Sequence, residues 1–462
     1  MTAGAGKAPQ APLWAPRAWI AGRWAEAVLL VPGADGCWAD VQPGVAAPDT
    51  AQVLQGAVLP GLVDAHSHAF QRAFAGLAER RDSEHDDFWS WRDRMYQVAL
   101  RVTPLQLRDI AAQLYVELLR GGYTHVCEFH YLQHAPDGRP YDDPGAMAWA
   151  LADAAADTGI GLTLLPVLYQ RAGFAQPSLR PDQRRFATDA DVVLSMQRAA
   201  RARGLRCGVA IHSLRAATPE SMAQLVDSAE DGPVHIHVAE QTAEVDDCLA
   251  ATGQRPIAWL AAHATLSPRW QLVHATHATP QEIDAVAATG AGIVLCPTTE
   301  ANLGDGLADL PRWLSAGVPL SIGSDSNVCR DALEELRLAE YGQRLALRRR
   351  NVAAQPGVQA ATAARLFDAA LQGGASAGGF DRWGLVRGAR ADLLVADPAC
   401  DALRGVPPAS LLDALVFAGA VRPWRDVMVA GRWVLRDGTH CAGAVPAERF
   451  DAAMAELWSD AS

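Results

Sequence analysis

Short apolar runs alternate with longer amphipathic stretches through most of this chain. The runs fall at 58–65, 123–129, 161–168, 206–211, 234–238, 271–274, 292–296 and 319–323. They are rich in Val, Ile and Leu, as strands buried on both faces are. The intervening stretches, such as 105–120, 143–158, 189–203 and 280–289, carry apolar residues at helical spacing. Eight β-then-α units predict parallel strands closing into a (β/α)8 barrel of the α/β class. In that fold chemistry gathers at the C-terminal ends of the strands.

The two ends of the chain read differently. Trp19-Ile20-Ala21-Gly22-Arg23-Trp24 is followed by an apolar run at 28–31, and an Ala-Gly-Arg-Trp segment returns at Ala430-Gly431-Arg432-Trp433. The region 384–397 also reads as strands. Matching hairpin chemistry at both ends predicts one composite small β domain from residues 13–58 and 380–462, beside a barrel over 59–379. Residues 1–12 are small and polar, without a signal-peptide apolar core, and read as a disordered tail.

If a barrel forms, polar chemistry should collect just past each run, and it does. His66 and His68 end the first, and Glu128-Phe129-His130-Tyr131 the second. His212-Ser213-Leu214-Arg215 comes after the fourth, and the fifth runs through His235, His237 and Glu240. His274, with His277 close behind, ends the sixth, and Ser324-Asp325-Ser326-Asn327 comes after the eighth. Eight of the thirteen histidines therefore sit at or just past a predicted strand end.

Residues two apart on a strand point to the same side, so His66 and His68 project together. With His237 and Asp325 they make a His and carboxylate set of the kind that holds a catalytic zinc and leaves a position for water. Water on such an ion has a pKa near 7 and serves as nucleophile. Glu240, three residues past His237, is placed to move a proton, and His274 to hydrogen-bond the water or the reacting group. The plainer readings are satisfied core histidines at 237 and 274, and a helix cap at Asp325. His235 shares parity with His237 and is expected deeper in the barrel, behind the ligands. His263 and His277 read as ordinary helix or loop residues.

Composition removes other classes. The net charge of −12, with no basic stripe, argues against nucleic-acid binding. No apolar run approaches the ~18 residues of a membrane span. Eight scattered Cys without a Cys-x-x-Cys pair read as reduced thiols of a cytoplasmic protein. The single lysine, Lys7, lies in the tail. That excludes Schiff-base chemistry, a Walker-type phosphate loop and a carboxylated lysine bridging two metals.

The stretch 59–68, His237 through Glu240, His274 and Ser324-Asp325 resemble the amidohydrolase superfamily, in the version of its mononuclear deaminases. Further segments resemble one branch of it, the formimidoylglutamate deiminases. They are His68-Ala69-Phe70-Gln71-Arg72, Glu128 to Tyr131 with Pro140-Tyr141-Asp142-Asp143-Pro144, Ala210 to Arg215, and His235 to Thr242. The resemblance implies hydrolysis of N-formimino-L-glutamate to N-formyl-L-glutamate and ammonia in histidine breakdown, one zinc per chain, and a homodimer. It implies His66, His68, His237 and Asp325 as ligands, and Glu240, His274 and Asp325 as the catalytic residues. It places Gln71, Arg92, Tyr131, His212 and Arg215 around the substrate.

A dianionic glutamate suits that reading, because arginine forks match carboxylates, and Arg215 and Arg92 supply them. The stretch 86–94 that holds Arg92 has no clear periodicity. Structural readings stay open for Arg215 as a helix-start residue, Tyr131 as core packing and Gln71 as a cap. Two rival functions stay open as well. One is a mononuclear zinc aminohydrolase of a nucleobase or other aromatic ring. The other is a non-catalytic binding barrel, which would be expected to have lost ligands.

Overall fold

The computed structural model describes residues 11–79, 88–419 and 421–459. Residues 1–10, with Lys7 and most of the expected tail, lie outside them. Two sheets organise the rest. The larger holds eight parallel strands: β1 (Leu62–Ser67), β2 (Tyr123–His130), β3 (Gly161–Leu168), β4 (Val209–Ser213), β5 (Val234–Val238), β6 (Trp270–His274), β7 (Gly292–Leu295) and β8 (Leu320–Ile322). Each pairs with its neighbour in sequence. The ring closes just past β8, where Ser67 bridges Asp325 in parallel. There the Asp325 N–H donates to the His66 carbonyl at 2.8 Å, and the His68 N–H to the Asp325 carbonyl at 3.1 Å.

The expected helices form with shifted ends, and their caps explain the shifts. Thr103 and Gln106 make a capping box with Pro104 at the first turn, so the helix starts at Pro104 (Pro104–Arg120). Asp189 accepts from the Val192 N–H and stands before Ala190–Ala202 as its cap. The run 143–158 loses its first residues. Asp143 instead bonds the Gly145 N–H and the Trp149 indole, and the helix is Ala146–Thr158. The aperiodic stretch around Arg92 belongs to a helix, Phe88–Ala99, which buries Met95, Tyr96, Val98 and Ala99. Its residues Trp91, Arg92, Met95 and Tyr96 line a cavity at the mouth of the barrel, so polar and apolar side chains share one face.

Two strand expectations need correction. The first run splits at Pro60-Gly61: Val58–Leu59 joins the other sheet, and only Leu62–Ser67 enters the barrel. The fourth run breaks at Gly208 and continues to Ser213, so His212 lies within a strand. The second sheet mixes both chain ends. Val58–Leu59 lies between Leu13–Ile20 and Leu393–Ala396 and so joins the N-terminal strands to the C-terminal ones. The repeated Ala-Gly-Arg-Trp segments are its hairpin turns. Ala21 and Gly22 have φ of 47° and 78°, and Ala430 and Gly431 have 47° and 73°. Two left-handed residues in a row form the turn that matches strand twist. The first turn therefore lies inside the 19–24 run, and the second strand is Arg23–Pro32. Within 384–397 only Leu393–Ala396 is strand. The C-terminal segment also contributes helices, of which Val445–Trp458 packs on Pro104–Arg120.

Small apolar residues fill the barrel interior: Ala65, Val273, Val294, Cys296 and, from a helix end, Ala377. That helix, Thr362–Ala377, lies against β8 and β1. Its closeness depends on Gly373, where a Cβ would stand 2.1 Å from the Leu320 carbonyl oxygen. Two effects of Gly373→Ala oppose each other. Helix propensity alone favours alanine by about 0.8–1.0 kcal/mol. Overpacking against backbone costs about 1–3 kcal/mol. The substitution is therefore expected to lower the unfolding midpoint, measured by thermal or urea denaturation; a raised midpoint would contradict this packing.

Candidate active site

Four side chains converge where the barrel closes. His66 comes from β1, His68 from just beyond it, His237 from β5, and Asp325 from the turn after β8. His66 Nε2 lies 3.2 Å from His68 Nε2 and 2.9 Å from His237 Nε2. Asp325 Oδ1 lies 3.4 Å from His66 Nε2 and 3.3 Å from His68 Nε2. Tetrahedral bonds of 2.0–2.1 Å space ligand atoms about 3.3–3.4 Å apart. The observed spacings fit one small divalent ion.

The chemistry of the donors fits as well. His68 Nδ1 donates to the Phe129 carbonyl at 3.0 Å, and His237 Nδ1 to the His212 carbonyl at 2.8 Å. With the proton on Nδ1, each ring turns a bare Nε2 lone pair inward. Burial holds His66, His68 and His237 below the usual histidine range, so they stay neutral. Three uncharged lone pairs and a carboxylate facing one point are a site for a cation.

Asp325 is held by the backbone rather than by a helix. Its φ is 48°, and the cap of Ala332–Leu347 is Asp331, so the helix-cap reading of Asp325 is set aside. Asp64 Oδ1 accepts the Ser324 N–H at 2.9 Å, and Oδ2 accepts the Ser324 hydroxyl at 2.6 Å. Asn327 Nδ2 donates to the carbonyls of His68 and Asp325 at 3.1 and 3.0 Å. Gly323 permits this approach, since a Cβ there would lie 2.8 Å from the His66 Cβ. Ala239 and His274 also have positive φ, of 52° and 68°. Left-handed non-glycine residues at three strand ends mark backbone held in place by its surroundings.

Beside the four stand Glu240 and His274. His274 Nε2 is 3.7 Å from Glu240 Oε1 and 3.8 Å from Asp325 Oδ2. Burial raises the Glu240 carboxyl above its usual range. For His274 burial acts downward, but Glu240, Glu300 and Asp325 together outweigh it and raise the ring. Two acids absent from the sequence reading support this pair. Glu300 Oε1 meets His274 Nδ1 at 3.3 Å and takes the Cys296 N–H at 2.8 Å. Glu244 accepts the backbone N–H groups of Ala239 and Glu240 at 3.2 and 3.0 Å, which fixes the turn that carries Glu240. Their only sequence signal was a carboxylate four residues past a strand end or past Glu240.

A cavity opens above the four converging residues. Gln71, Arg92, Tyr131, His212 and Arg215 all line it, together with Glu240 and His274. Gln71 Nε2 donates to the Tyr131 hydroxyl at 2.9 Å. Gln71 Oε1 is buried and has no hydrogen-bond partner among the described residues. The charges of Arg92 and Arg215 both act on Tyr169 and on His212 in the cavity wall. Sequence reasoning missed Tyr96, Tyr169 and Phe186 in the same wall, which were hidden among ordinary core aromatics.

Two further histidines make structural contacts. His235 Nε2 meets the Ala377 carbonyl at 3.0 Å, at the deep end of the barrel. His263 stacks on Trp259 with centroids 4.3 Å apart. Glu128 faces away from the cavity; it accepts the Ala69 N–H at 2.5 Å and the Tyr115 hydroxyl at 3.3 Å, fixing the turn after His68.

The chain is similar to known proteins along most of its length. A formimidoylglutamate deiminase of Pseudomonas aeruginosa is 47% identical over 450 residues, covering 96% of this chain and 99% of its own. A 5-methylthioadenosine/S-adenosylhomocysteine deaminase of Natronomonas pharaonis is 32% identical over 399 residues, covering 85% of each. The crystal structure of an amidohydrolase from Brucella melitensis is 41% identical and superposes with a TM-score of 0.92, over 97% of this chain and 100% of that one. The amidohydrolase family profile itself matches residues 57–434, the whole barrel included, and the chain belongs to the amidohydrolase family.

Proposed function

We propose that this enzyme hydrolyses N-formimino-L-glutamate to N-formyl-L-glutamate and ammonia, a step of histidine breakdown. The observation that carries the reading is the 47% identity, along nearly the full chain, to a formimidoylglutamate deiminase. Two arginines lining the cavity support it, because the substrate is a diacid. The reading takes zinc as the metal, with His66, His68, His237 and Asp325 as its ligands; three neutral imidazoles and a carboxylate are ordinary zinc donors. It takes a homodimer, as the resemblance implies, and a cytoplasmic setting, in keeping with eight free thiols.

When bound, the ion supplies Lewis acidity that brings the pKa of water near 7. The water oxygen bonds to the formimino carbon, the bond from that carbon to its terminal nitrogen breaks, and the nitrogen leaves as ammonia. Glu240 takes the two protons of the water in turn and delivers both to the departing nitrogen, as the oxygen closes to the formyl carbonyl. His274, steadied through Nδ1 by Glu300, keeps its Nε2 beside Glu240 and Asp325 and holds the water by a hydrogen bond. Gln71 Oε1, without a partner of its own, accepts from the formimino N–H groups. Arg92 and Arg215 take the substrate carboxylates, while Tyr131 and His212 wall the site.

Three measurements test the reading. Elemental analysis of active protein should give one ion per chain, and a chelator should abolish ammonia release until zinc is returned. Two tightly bound ions per chain would refute the single site. Glu240→Gln should retain the metal and lose roughly 10²–10⁴-fold in kcat; near-normal turnover would assign the proton transfer elsewhere. Arg215→Ala should lose roughly tenfold to a hundredfold in kcat/KM, as expected for a charged hydrogen bond of about 1.5–3 kcal/mol. The loss should be much smaller with an analogue that lacks the bound carboxylate. Equal losses on both substrates, or better turnover of nucleobases than of the diacid, would overturn the substrate assignment.

A further inference from the structure

The turn that carries Arg215 is held from the end of the neighbouring strand. β3 ends at Leu168, and Tyr169 after it lines the cavity beside His212, with ring centroids 4.3 Å apart. Gln170 and Arg171 then grip the segment that follows β4. Their backbone N–H groups both donate to the Ala216 carbonyl, at 2.8 and 3.1 Å. The Gln170 side chain accepts the Thr218 N–H at 3.3 Å and donates to the Ser221 hydroxyl at 2.9 Å. The Arg171 side chain reaches further: Nε donates to the Arg215 carbonyl at 3.1 Å, and Nη2 to the Leu214 carbonyl at 2.9 Å.

Those two carbonyls flank one Cα. The Leu214 carbonyl belongs to the peptide plane before Arg215, and the Arg215 carbonyl to the plane after it. A peptide unit is rigid, so the orientations of the two planes set φ and ψ at the Cα between them. One guanidinium holding both carbonyls therefore fixes the backbone of Arg215, and with it the direction in which its side chain leaves the chain. The planar, rigid fork of arginine donors suits two acceptors held side by side. The fork rests near Phe174, with its central carbon 5.7 Å from the ring centroid. Arg215 lines the cavity with Glu240 and His274, while Arg171 lines a separate cavity behind it with Phe174, Leu214 and Trp259.

We propose that Arg171 is a positioning residue for substrate recognition, which aims Arg215 at the substrate carboxylate without touching the substrate. This rests on the substrate reading above. An arginine on a loosely held backbone has to be ordered anew at each binding event, which weakens the complex. A backbone fixed beforehand removes part of that cost.

The test is a double-mutant cycle on N-formimino-L-glutamate with Arg171→Ala, Arg215→Ala and the two combined. In Arg171→Ala the backbone bonds to Ala216 and the Gln170 contacts remain, so the turn stays attached and only the planes beside Arg215 are released. Arg171 is half-buried, so water reaches the freed carbonyls and the variant should fold, as its unfolding midpoint will show. The expected result is a KM raised about tenfold with kcat within twofold, and a change under about twofold when residue 215 is already alanine. Binding of the product N-formyl-L-glutamate, followed by calorimetry, should show the same pattern. Arg171→Met keeps the apolar stem against Phe174 but has no donor, and should match Arg171→Ala; if Arg171→Ala folds poorly, the cycle is run with Arg171→Met. An unchanged KM in Arg171→Ala, or a wild-type KM in Arg171→Met, would overturn the assignment while leaving the substrate reading intact. So would the same penalty in both backgrounds, because Arg171 would then act through its charge or the fold rather than through Arg215. Absence of wild-type turnover of N-formimino-L-glutamate would overturn both.

Discussion

The contact on which the rest depends is the closure of the barrel between β1 and the turn after β8. A parallel barrel needs its last strand to meet its first, and β8 is only three residues long. The missing length is supplied by a turn that pairs through Asp325 itself, by backbone bonds to His66 and His68. The residues that complete the sheet are therefore the residues that complete the proposed metal site. Asp64 and Asn327 clasp the two sides with side-chain bonds to Ser324, His68 and Asp325. Fold and site share one joint, so any change that opens the joint displaces ligands as well.

Electrostatics follows from the same joint. Asp64, Glu128, Glu244, Glu300 and Asp325 are all buried near the strand ends. Burial pushes Asp64 up to about 7 and Glu128 up to about 8. The imidazoles among them are mostly held neutral, with His274 the exception. A buried acid set of this kind is costly without a compensating positive charge. Backbone N–H groups, from Ser324, Ala69, Ala239 and Cys296, supply part of it. A divalent ion held by the proposed ligands would supply the rest, and its binding energy would add to folding energy.

The sequence was most legible where chemistry and periodicity coincided. His66, His68, His237, His274 and Asp325 each came at or after a strand-length apolar run, so the fold expectation and the site expectation supported each other. The Ala-Gly-Arg-Trp repeat was legible for a different reason: a turn with two left-handed residues needs specific residue types. What stayed hidden depends on partners distant in sequence. Glu300 reads as an ordinary early-helix acid until His274 is placed against it. Tyr96 and Gln183 are 87 positions apart and look like core residues until the hydrogen bond between them is placed. The helix Phe88–Ala99 was hidden because its aromatic face serves the cavity, so apolar and polar side chains are mixed on it. The split of the first run at Pro60-Gly61 escaped because both halves are equally apolar, and only pairing partners separate them.

That split places Val58–Leu59 as the middle strand of a sheet whose two halves are made at opposite ends of the chain. On the ribosome, the N-terminal hairpin emerges with one edge unpaired, and its partner Leu393–Ala396 arrives only after the entire barrel sequence. At common synthesis rates this interval is on the order of tens of seconds. Through that time an open strand edge is exposed to other nascent chains. Maturation is therefore gated by the arrival of the last segment, and a chain cut short before residue 393 would leave the ribosome with a seam it has no means to close.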